Sequence, residues 1–283
     1  MLNFFRINLL VLLIAGFSVP AFTQVFDHAE CKLDQSAQLI IGCTKYCGKK
    51  NTNALKKVAR DLGYQIKVVN IYTENSTPDI TGLDAILIPG GVDIDPKYYV
   101  DQVETELRDR IRSLDHLVVY TDDGIKRDFF EYNLLQEYFK NDKLKETPVL
   151  GICRGMQMLG VSQGIPLYVD IKAEVGINNR YTKDTIYTNS KQSEIYKMMK
   201  MSNFKAVERH HQGPRVDYFK KFKSQRWPNI NMTALSNKGE VAEVLEWTNR
   251  PVLGVQFHPE STYGVVRDRI FSWFLKQACH GKK

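Results

Sequence analysis

The segment with the clearest chemical potential reads Gly-Ile-Cys-Arg-Gly-Met-Gln from residue 151 to residue 157. A nucleophile with small residues two positions before and after it is typical of a nucleophile elbow, the sharp turn between a strand and a helix. The apolar run at 147–152 predicts the strand, and we expect the helix to begin at Cys153. A helix N-terminus favours negative charge, and therefore the reactive thiolate. An inert buried cysteine is the alternative that this segment leaves open.

A second segment, from residue 254 to residue 260, reads Gly-Val-Gln-Phe-His-Pro-Glu. A thiolate nucleophile needs a neighbouring base, and the base needs a third group that fixes its tautomer. His258 and Glu260 follow an apolar run at 252–257, so both side chains are expected at the end of a strand. We therefore predict a catalytic triad in which Cys153 is the nucleophile, His258 the base and Glu260 the group that orients it.

The hydrophobic pattern around these segments predicts strands that alternate with helices. Apolar runs indicate buried strands at 38–42, 84–88 and 147–152, and alternation indicates a strand at 66–71. Helical spacing indicates helices at 53–62 and 128–140. This alternation is typical of a parallel sheet covered by helices. Short strands are then expected at 168–171, 185–188, 204–207, 232–235, 241–247 and 252–257, before a last helix at 265–278. We expect one domain that spans residues 38–283.

Together these motifs resemble the class I glutamine amidotransferases, whose triad is Cys, His and Glu, and more narrowly the γ-glutamyl hydrolase branch typified by bacterial γ-glutamyl-γ-aminobutyrate hydrolase. Further matches follow in the order of that family. They are Ile-Pro-Gly-Gly-Val-Asp-Ile-Asp-Pro from residue 88, Tyr98-Tyr99, Arg127-Asp128 with Glu131, and His210-His211-Gln212. The resemblance implies a three-layer, flavodoxin-like α/β fold with a mostly parallel central sheet, helices on both faces and an added strand-rich region.

The resemblance also implies an activity and roles for single residues. The activity is hydrolysis of γ-glutamyl amides, such as γ-glutamyl-GABA-like compounds or γ-glutamyl peptides, through a thioester on Cys153 that releases glutamate. The backbone N–H groups of Gly91 and Arg154 would form an oxyanion hole for the charge on the tetrahedral intermediate. Asp128 and Glu131 would brace the loop near the elbow. The residues expected to contact the substrate are Gln157, His210, His211 and Gln212, although adjacent histidines outside this family are more often surface residues.

Three segments depart from the family pattern. Glu208-Arg209 precede His210 where relatives carry a small polar residue, residues 160–164 lack the usual Asn and Gly pair, and the stretch at 101–126 is long. All three border the expected leaving-group pocket, so the leaving group stays open. A non-catalytic binding or effector protein that kept the fold, and a glutaminase subunit that feeds ammonia to a synthase, are the alternative functions.

The first residues read as a targeting segment. Arg6 precedes an apolar run at 9–17 and a set of small residues, the pattern of a secretory signal peptide. We expect a signal peptide at 1–21, with a cut after Ala21 or after Thr23, and a polar leader at 22–37. A retained membrane anchor is the alternative, but the apolar run is short for a bilayer. The mature protein is expected to be exported, periplasmic or secreted, and free of the membrane.

The composition limits the partners. Formal net charge is +7, from 39 Lys and Arg against 32 Asp and Glu, and the basic residues are scattered. Nothing in this distribution indicates a nucleic-acid groove. We expect a small γ-glutamyl substrate, no cofactor and no metal ion, and the sequence is compatible with a homodimer.

The chain has five cysteines, which can form disulfide bonds if the protein reaches an oxidising compartment. Setting Cys153 aside leaves an even number, which fits two disulfide bonds or four free thiols. The four residues are Cys31, Cys43, Cys47 and Cys279. Three pairings are possible, and the sequence does not choose among them.

Overall fold

The structure, a computed structural model, describes residues 31–34, 37–74 and 79–282. The predicted signal peptide at 1–21 and residues 22–30, 35 and 36 of the leader lie outside the described residues. No helix in the described ranges is both long enough and apolar enough to cross a membrane.

One large sheet passes through the centre of the molecule. The strands of the described chain are β1 (Gln38–Cys43), β2 (Gln65–Asn70), β3 (Ala85–Ile88), β4 (Val149–Ile152), β5 (Leu167–Tyr168), β6 (Thr182–Thr188), β7 (Asn203–Glu208), β8 (Gly213–Pro214), β9 (Ile230–Ser236), β10 (Val241–Trp247) and β11 (Val252–Val255). Nine of them form the sheet in the order β2-β1-β3-β4-β11-β10-β9-β6-β7, and β5 pairs with β8 separately. Neighbours from β2 to β11 are parallel, and the rest are antiparallel.

Helices cover both faces of this sheet. They are α1 (Gly48–Leu62), α2 (Thr105–Ser113), α3 (Asp122–Lys140), α4 (Arg154–Ser162), α5 (Ile171–Val175), α6 (Glu194–Met199), α7 (Val216–Arg226) and α8 (Val265–Lys282). One buried apolar cluster contains side chains of α1, α6 and α8, and the other contains side chains of α3, α4 and α7. The predicted three-layer α/β fold, with helices on both faces and an added strand-rich region, is therefore confirmed.

Local signals explain most helix ends. Gly63 ends α1 in the left-handed conformation, with φ 73°, and its N–H donates to the carbonyls of Ala59 and Arg60, as expected for a glycine cap. Helix α3 begins earlier than the predicted residue 128, because the Thr121 hydroxyl accepts a hydrogen bond from the Gly124 N–H and caps the helix. The long stretch at 101–126 consists of α2, short turns and the first residues of α3.

Two parts of the second half differ from the prediction. The expected strand at 168–171 ends at Tyr168, because the Asp170 carboxylate accepts from the Ala173 N–H and caps α5. Helices α6 and α7 were not predicted. Ser193 caps α6 through a hydrogen bond from the Tyr196 N–H, and such a short helix carries little periodic signal.

The structure chooses one of the three cysteine pairings. Cys31 is bonded to Cys279, which lies 248 residues away, and Cys43 is bonded to Cys47, four residues away. Cys153 is free and buried. The first bond ties the beginning of the described chain to α8.

Candidate active site

Cys153 occupies a constrained turn between β4 and α4. Its backbone has φ 53° and ψ −109°, a conformation that is costly for any residue with a side chain and that concentrates at active sites. The turn also needs a glycine two residues later, because a Cβ atom on Gly155 would lie 2.0 Å from the carbonyl oxygen of Ile88. The predicted elbow is thus present, with Cys153 as the cap residue and α4 beginning at Arg154.

His258 and Glu260 lie just beyond the end of β11, the strand next to β4. Val255 pairs with Ile152, and the Cys153 N–H donates to the Val255 carbonyl over 2.7 Å, so the two strand ends meet. Nδ1 of His258 lies 2.7 Å from Oε1 of Glu260 and donates to that carboxylate. Nε2 of His258 has no hydrogen-bond partner among the described residues.

The surroundings of His258 favour its protonated form. Burial by itself would lower the pKa of His258, but the adjacent Cys153 and Glu260 side chains outweigh burial and raise this pKa to about 10. The ring is therefore an imidazolium at neutral pH. A proton held beside a thiol sulfur is the arrangement that activates a cysteine nucleophile.

A glycine pair after β3 approaches the same place. A Cβ atom on Gly90 would lie 3.1 Å from Cε1 of His258 and 3.5 Å from Cβ of Cys153. The N–H of Gly91 donates to no acceptor in the described part of the chain. The N–H of Arg154 also finds no acceptor there, as is usual for the first residue of a helix. Two unpaired N–H groups thus belong to the segments that flank Cys153.

A buried ionic network lies behind this glycine pair. Arg154 pairs with both Asp128 and Glu131, and all three side chains are almost completely buried. Nε of Arg127 donates to Glu131 over 2.8 Å. The Thr44 hydroxyl donates to the same carboxylate. Thr44 was not singled out from the sequence, although a polar residue directly after β1 at the carboxyl edge of a parallel sheet is a usable signal.

The pKa values of the two carboxylates of the network are shifted in opposite directions. Burial raises the pKa of Asp128 to about 6, although the Arg154 guanidinium acts in the opposite direction. Burial would also raise the pKa of Glu131, but Arg127 and Arg154 together lower it below its usual value. Glu131 is therefore the ionised centre of the network.

The residues expected to contact substrate are mostly held by protein groups. Nε2 of Gln157 donates to the Gln212 carbonyl over 2.8 Å, and Nδ1 of His210 donates to the same oxygen over 3.0 Å. Nε2 of His210 lies 2.6 Å from Oε2 of Glu208. The Gln212 amide oxygen accepts from the Ile94 N–H over 2.9 Å. His210 therefore has no ring nitrogen left for a substrate.

His211 joins two loops near the site. Its Nε2 lies 2.7 Å from Oδ1 of Asp93, and its Nδ1 lies 3.1 Å from Oδ2 of Asp170. Burial would lower the pKa of His211, but the hydrogen bonds to these carboxylates raise it above its usual value. Asp93 follows the glycine pair in the chain, so His211 fixes the far end of that loop.

One further cluster has residue types that can bind metal ions. Glu208, His210 and Glu243 are buried, and one potential ligand atom of each lies within 4.8 Å of the others. Burial and the neighbouring Glu208 raise the pKa of Glu243 well above its usual value. Nε2 of His210 and Oε2 of Glu208 are 2.6 Å apart, the distance of a direct hydrogen bond. His210 and Glu208 are hydrogen-bonded to each other, and the Glu243 carboxylate instead accepts from the Ser236 hydroxyl.

A cysteine elbow that faces a His–Glu pair at the edge of this α/β sheet defines a class I glutamine amidotransferase-like protein. The peptidase C26 profile matches residues 44–260, and the chain belongs to the peptidase C26 family.

Individual proteins are similar to this chain over most of its length. The chain is 28% identical over 212 residues to the glutamine amidotransferase-like protein YvdE of Lactococcus lactis subsp. lactis (strain IL1403), a match that covers 73% of this chain and 78% of the relative. It is 27% identical over 210 residues to protein NtpR of Enterococcus hirae, covering 70% and 76% of the two chains. The solved structure of a GMP synthase component from Thermoplasma acidophilum shares the fold, with a TM-score of 0.56 and 18% identity, over 87% of this chain and 97% of its own.

Proposed function

We propose that this protein is a cysteine hydrolase that cleaves γ-glutamyl amide bonds. The observation that carries the proposal is the meeting of Cys153, His258 and Glu260 beside two backbone N–H groups that have no acceptor among the described residues, on a chain of the peptidase C26 family. Membership of that family supports a cysteine peptidase-type hydrolase. The γ-glutamyl specificity rests on the motif resemblance.

The chemistry follows from the positions of these groups. The Cys153 thiolate attacks the γ-carbonyl carbon, and the N–H groups of Gly91 and Arg154 donate to the oxyanion that forms. The imidazolium of His258 gives its proton to the leaving nitrogen as the C–N bond breaks, leaving a γ-glutamyl thioester. His258 then takes a proton from water, the resulting hydroxide attacks the thioester, and glutamate leaves as the thiolate reforms. Glu260 keeps the imidazole in one orientation throughout.

The loop of residues 210–212 takes a supporting role in this proposal. His210 and Gln212 are buried and bonded to protein groups, so they position Gln157 and the loop after β3. Gln157 remains the side chain that we assign to the γ-glutamyl moiety, because it lies one turn beyond the nucleophile on α4.

The test is glutamate release from γ-glutamyl-GABA, a γ-glutamyl dipeptide, folyl-polyglutamate and glutamine. Wild-type protein is expected to hydrolyse at least one γ-glutamyl amide, and Cys153→Ala is expected to hydrolyse none while its circular dichroism stays unchanged. Mass spectrometry should find the γ-glutamyl adduct on Cys153 during turnover. A wild-type protein that binds these compounds without cleaving them would instead support the non-catalytic alternative.

We also propose that the protein is exported. Residues 1–24 have the pattern of a signal peptide, and two disulfide bonds suit an oxidising compartment. N-terminal sequencing of the protein from its native host should begin at Phe22 or Gln24. An intact Met1 in the cytosolic fraction would contradict the proposal.

A further inference from the structure

Arg127 is a buried side chain that touches the glycine loop rather than the reacting atoms. It is 3% exposed. Its Nη1 donates to the Gly90 carbonyl over 3.0 Å, and its Nη2 donates to the Pro89 carbonyl over 2.6 Å. Its Nε donates to Glu131 over 2.8 Å, which fixes the plane of the guanidinium. Two consecutive peptide groups of the loop are thus held by one rigid fork.

A held carbonyl also decides where the next N–H points. In a trans peptide the C=O and N–H bonds point in opposite directions, and the described residues contain no cis peptide bond. The Gly90 carbonyl points at Arg127, so the Gly91 N–H of the same peptide group points away from Arg127. That N–H has no acceptor elsewhere in the described chain.

The catalytic pair lies close to this loop. Gly90 is the residue whose added Cβ would come within 3.1 Å of the His258 ring and 3.5 Å of Cys153. On Gly91 an added Cβ would instead lie 2.3 Å from Nη1 of Arg127. The loop is therefore packed between the Arg127 guanidinium and the Cys153–His258 pair.

Two adjacent glycines have little conformational preference of their own. Glycine adopts positive and negative φ values with similar ease, so the peptide group between Gly90 and Gly91 can rotate at low cost. A rotated peptide would present a carbonyl oxygen, not an N–H, to the developing oxyanion. An outside group must select the productive orientation.

We propose that Arg127 is a positioning residue that orients the Gly91 N–H into the oxyanion hole, an inference that rests on the proposed function. Glu131 holds Arg127 in place and also pairs with Arg154, so one buried carboxylate supports both segments that supply oxyanion donors. Loss of one oxyanion donor typically lowers kcat by about 10²–10³-fold.

The test compares Arg127→Lys and Arg127→Met with wild type on the best γ-glutamyl amide. An ammonium group cannot bridge two carbonyls and Glu131 with the fixed fork of a guanidinium. Both variants are expected to lose roughly 10²-fold or more in kcat with KM changed by less than about threefold. Alkylation of Cys153 by iodoacetamide forms no oxyanion, so its rate should stay within about twofold of wild type.

Arg250→Met is the matched control. Arg250 is also buried and donates to two consecutive carbonyls, those of Tyr138 and Phe139, at the end of α3. Its loss should lower the melting temperature and leave kcat of the folded protein unchanged. If Arg127→Met is too unstable to assay, Arg127→Ala with millimolar guanidinium should regain kcat, whereas equimolar ammonium should not restore it.

The outcomes separate this inference from the proposed function. Wild-type kcat in Arg127→Lys, or a parallel loss of kcat and of the alkylation rate in both variants, overturns the role of Arg127 and leaves the hydrolase intact. If the wild-type protein releases glutamate from none of the γ-glutamyl amides, the proposed function is wrong, and so is the inferred role of Arg127.

Discussion

Nδ1 of His258 lies 2.7 Å from Oε1 of Glu260, and only Pro259 separates the two residues in the chain. This hydrogen bond directs the other ring nitrogen of His258 to the space beside Cys153. Because the short 3-10 turn at Pro259–Ser261 holds both side chains, their relative position depends on local backbone rather than on a distant contact.

Glu260→Gln should therefore impair the enzyme less than His258→Ala. The glutamine oxygen can still accept the hydrogen bond from Nδ1, but the negative charge is lost, whereas alanine removes the proton carrier. We expect kcat to fall about 10–10²-fold for Glu260→Gln and about 10³-fold or more for His258→Ala. Steady-state kinetics on one γ-glutamyl amide measure kcat of both variants. The exposed Glu240→Gln is the control, and its kcat should equal that of wild type. Equal losses in the two variants would contradict the orienting role of Glu260.

The raised pKa of His258 gives a second test of the same pair. Glu260 is one of the groups that raise this pKa to about 10, so Glu260→Gln should lower it. The pH at which His258 loses its proton, followed by NMR of the ring in wild type and variant, should move down. An unchanged titration would show that the carboxylate has no electrostatic effect on the ring.

Gly155→Ala should disrupt the elbow itself. The new methyl group would lie 2.0 Å from the carbonyl oxygen of Ile88, a backbone atom of β3 that cannot move without shifting the sheet. We expect a loss of roughly 3 kcal/mol or more in the free energy of unfolding, together with loss of activity. Gly82→Ala is the control, because a Cβ there has no atom within 4 Å and the change should stay within about 0.5 kcal/mol. Urea denaturation measures the free energy of unfolding of both variants. Equal values would contradict the close approach of residue 155 to the Ile88 carbonyl.

His211→Asn should remove a pH-dependent part of the stability. The pKa of His211 is raised in the folded protein by Asp93 and Asp170, against burial and the repulsion from Arg180. The stabilisation is therefore complete below the unfolded value of about 6.5 and is lost as pH rises through the higher folded value. We expect the variant to be less stable by roughly 1–3 kcal/mol at pH 6 and the difference to shrink by pH 9. Chemical denaturation at both pH values measures this.

The exposed His116→Asn is the control for that series. This substitution should leave the free energy of unfolding at pH 6 within about 0.5 kcal/mol of wild type. A difference between His211→Asn and wild type that is constant from pH 6 to pH 9 would mean that the two carboxylates do not hold a charged ring.

The two disulfide bonds should contribute unequally to stability. The chain-entropy estimate grows with loop length, and it is roughly 5 kcal/mol for a 248-residue separation but only roughly 2 kcal/mol for a separation of four. Cys279→Ser should accordingly lower the melting temperature more than Cys47→Ser. Non-reducing mass spectrometry of wild type should show the same pairing. A larger effect of Cys47→Ser would indicate that the short bond acts through the folded state near Thr44.

Much of the catalytic site was predictable because its residues lie in two short segments of the sequence. The elbow depends on Cys153 and on the glycines two residues away from it, and the triad pair depends on His258 and Glu260 two positions apart. Strand and helix signals depend on local periodicity, so the C-terminal end of α1 and its Gly63 cap were predicted correctly, whereas the helix begins at Gly48 and not at the predicted residue 53. Helix α6 was missed because it has only six residues and is capped by the Ser193 side chain. Helix α7 was missed because its buried side chains, Val216, Tyr218 and Phe219, all lie in its first turn and give no long periodic pattern.

The sequence by itself therefore determined the nucleophile elbow, the His–Glu pair and the alternation of strands and helices, since each depends on residues close together in the chain. Only the tertiary structure decided that β11 lies beside β4, that Cys31 pairs with Cys279, and that His210 is bonded to Glu208 and the Gln212 carbonyl. The physical reason is that these relationships depend on which distant segments are buried together, and burial decides which polar groups must find partners inside the protein.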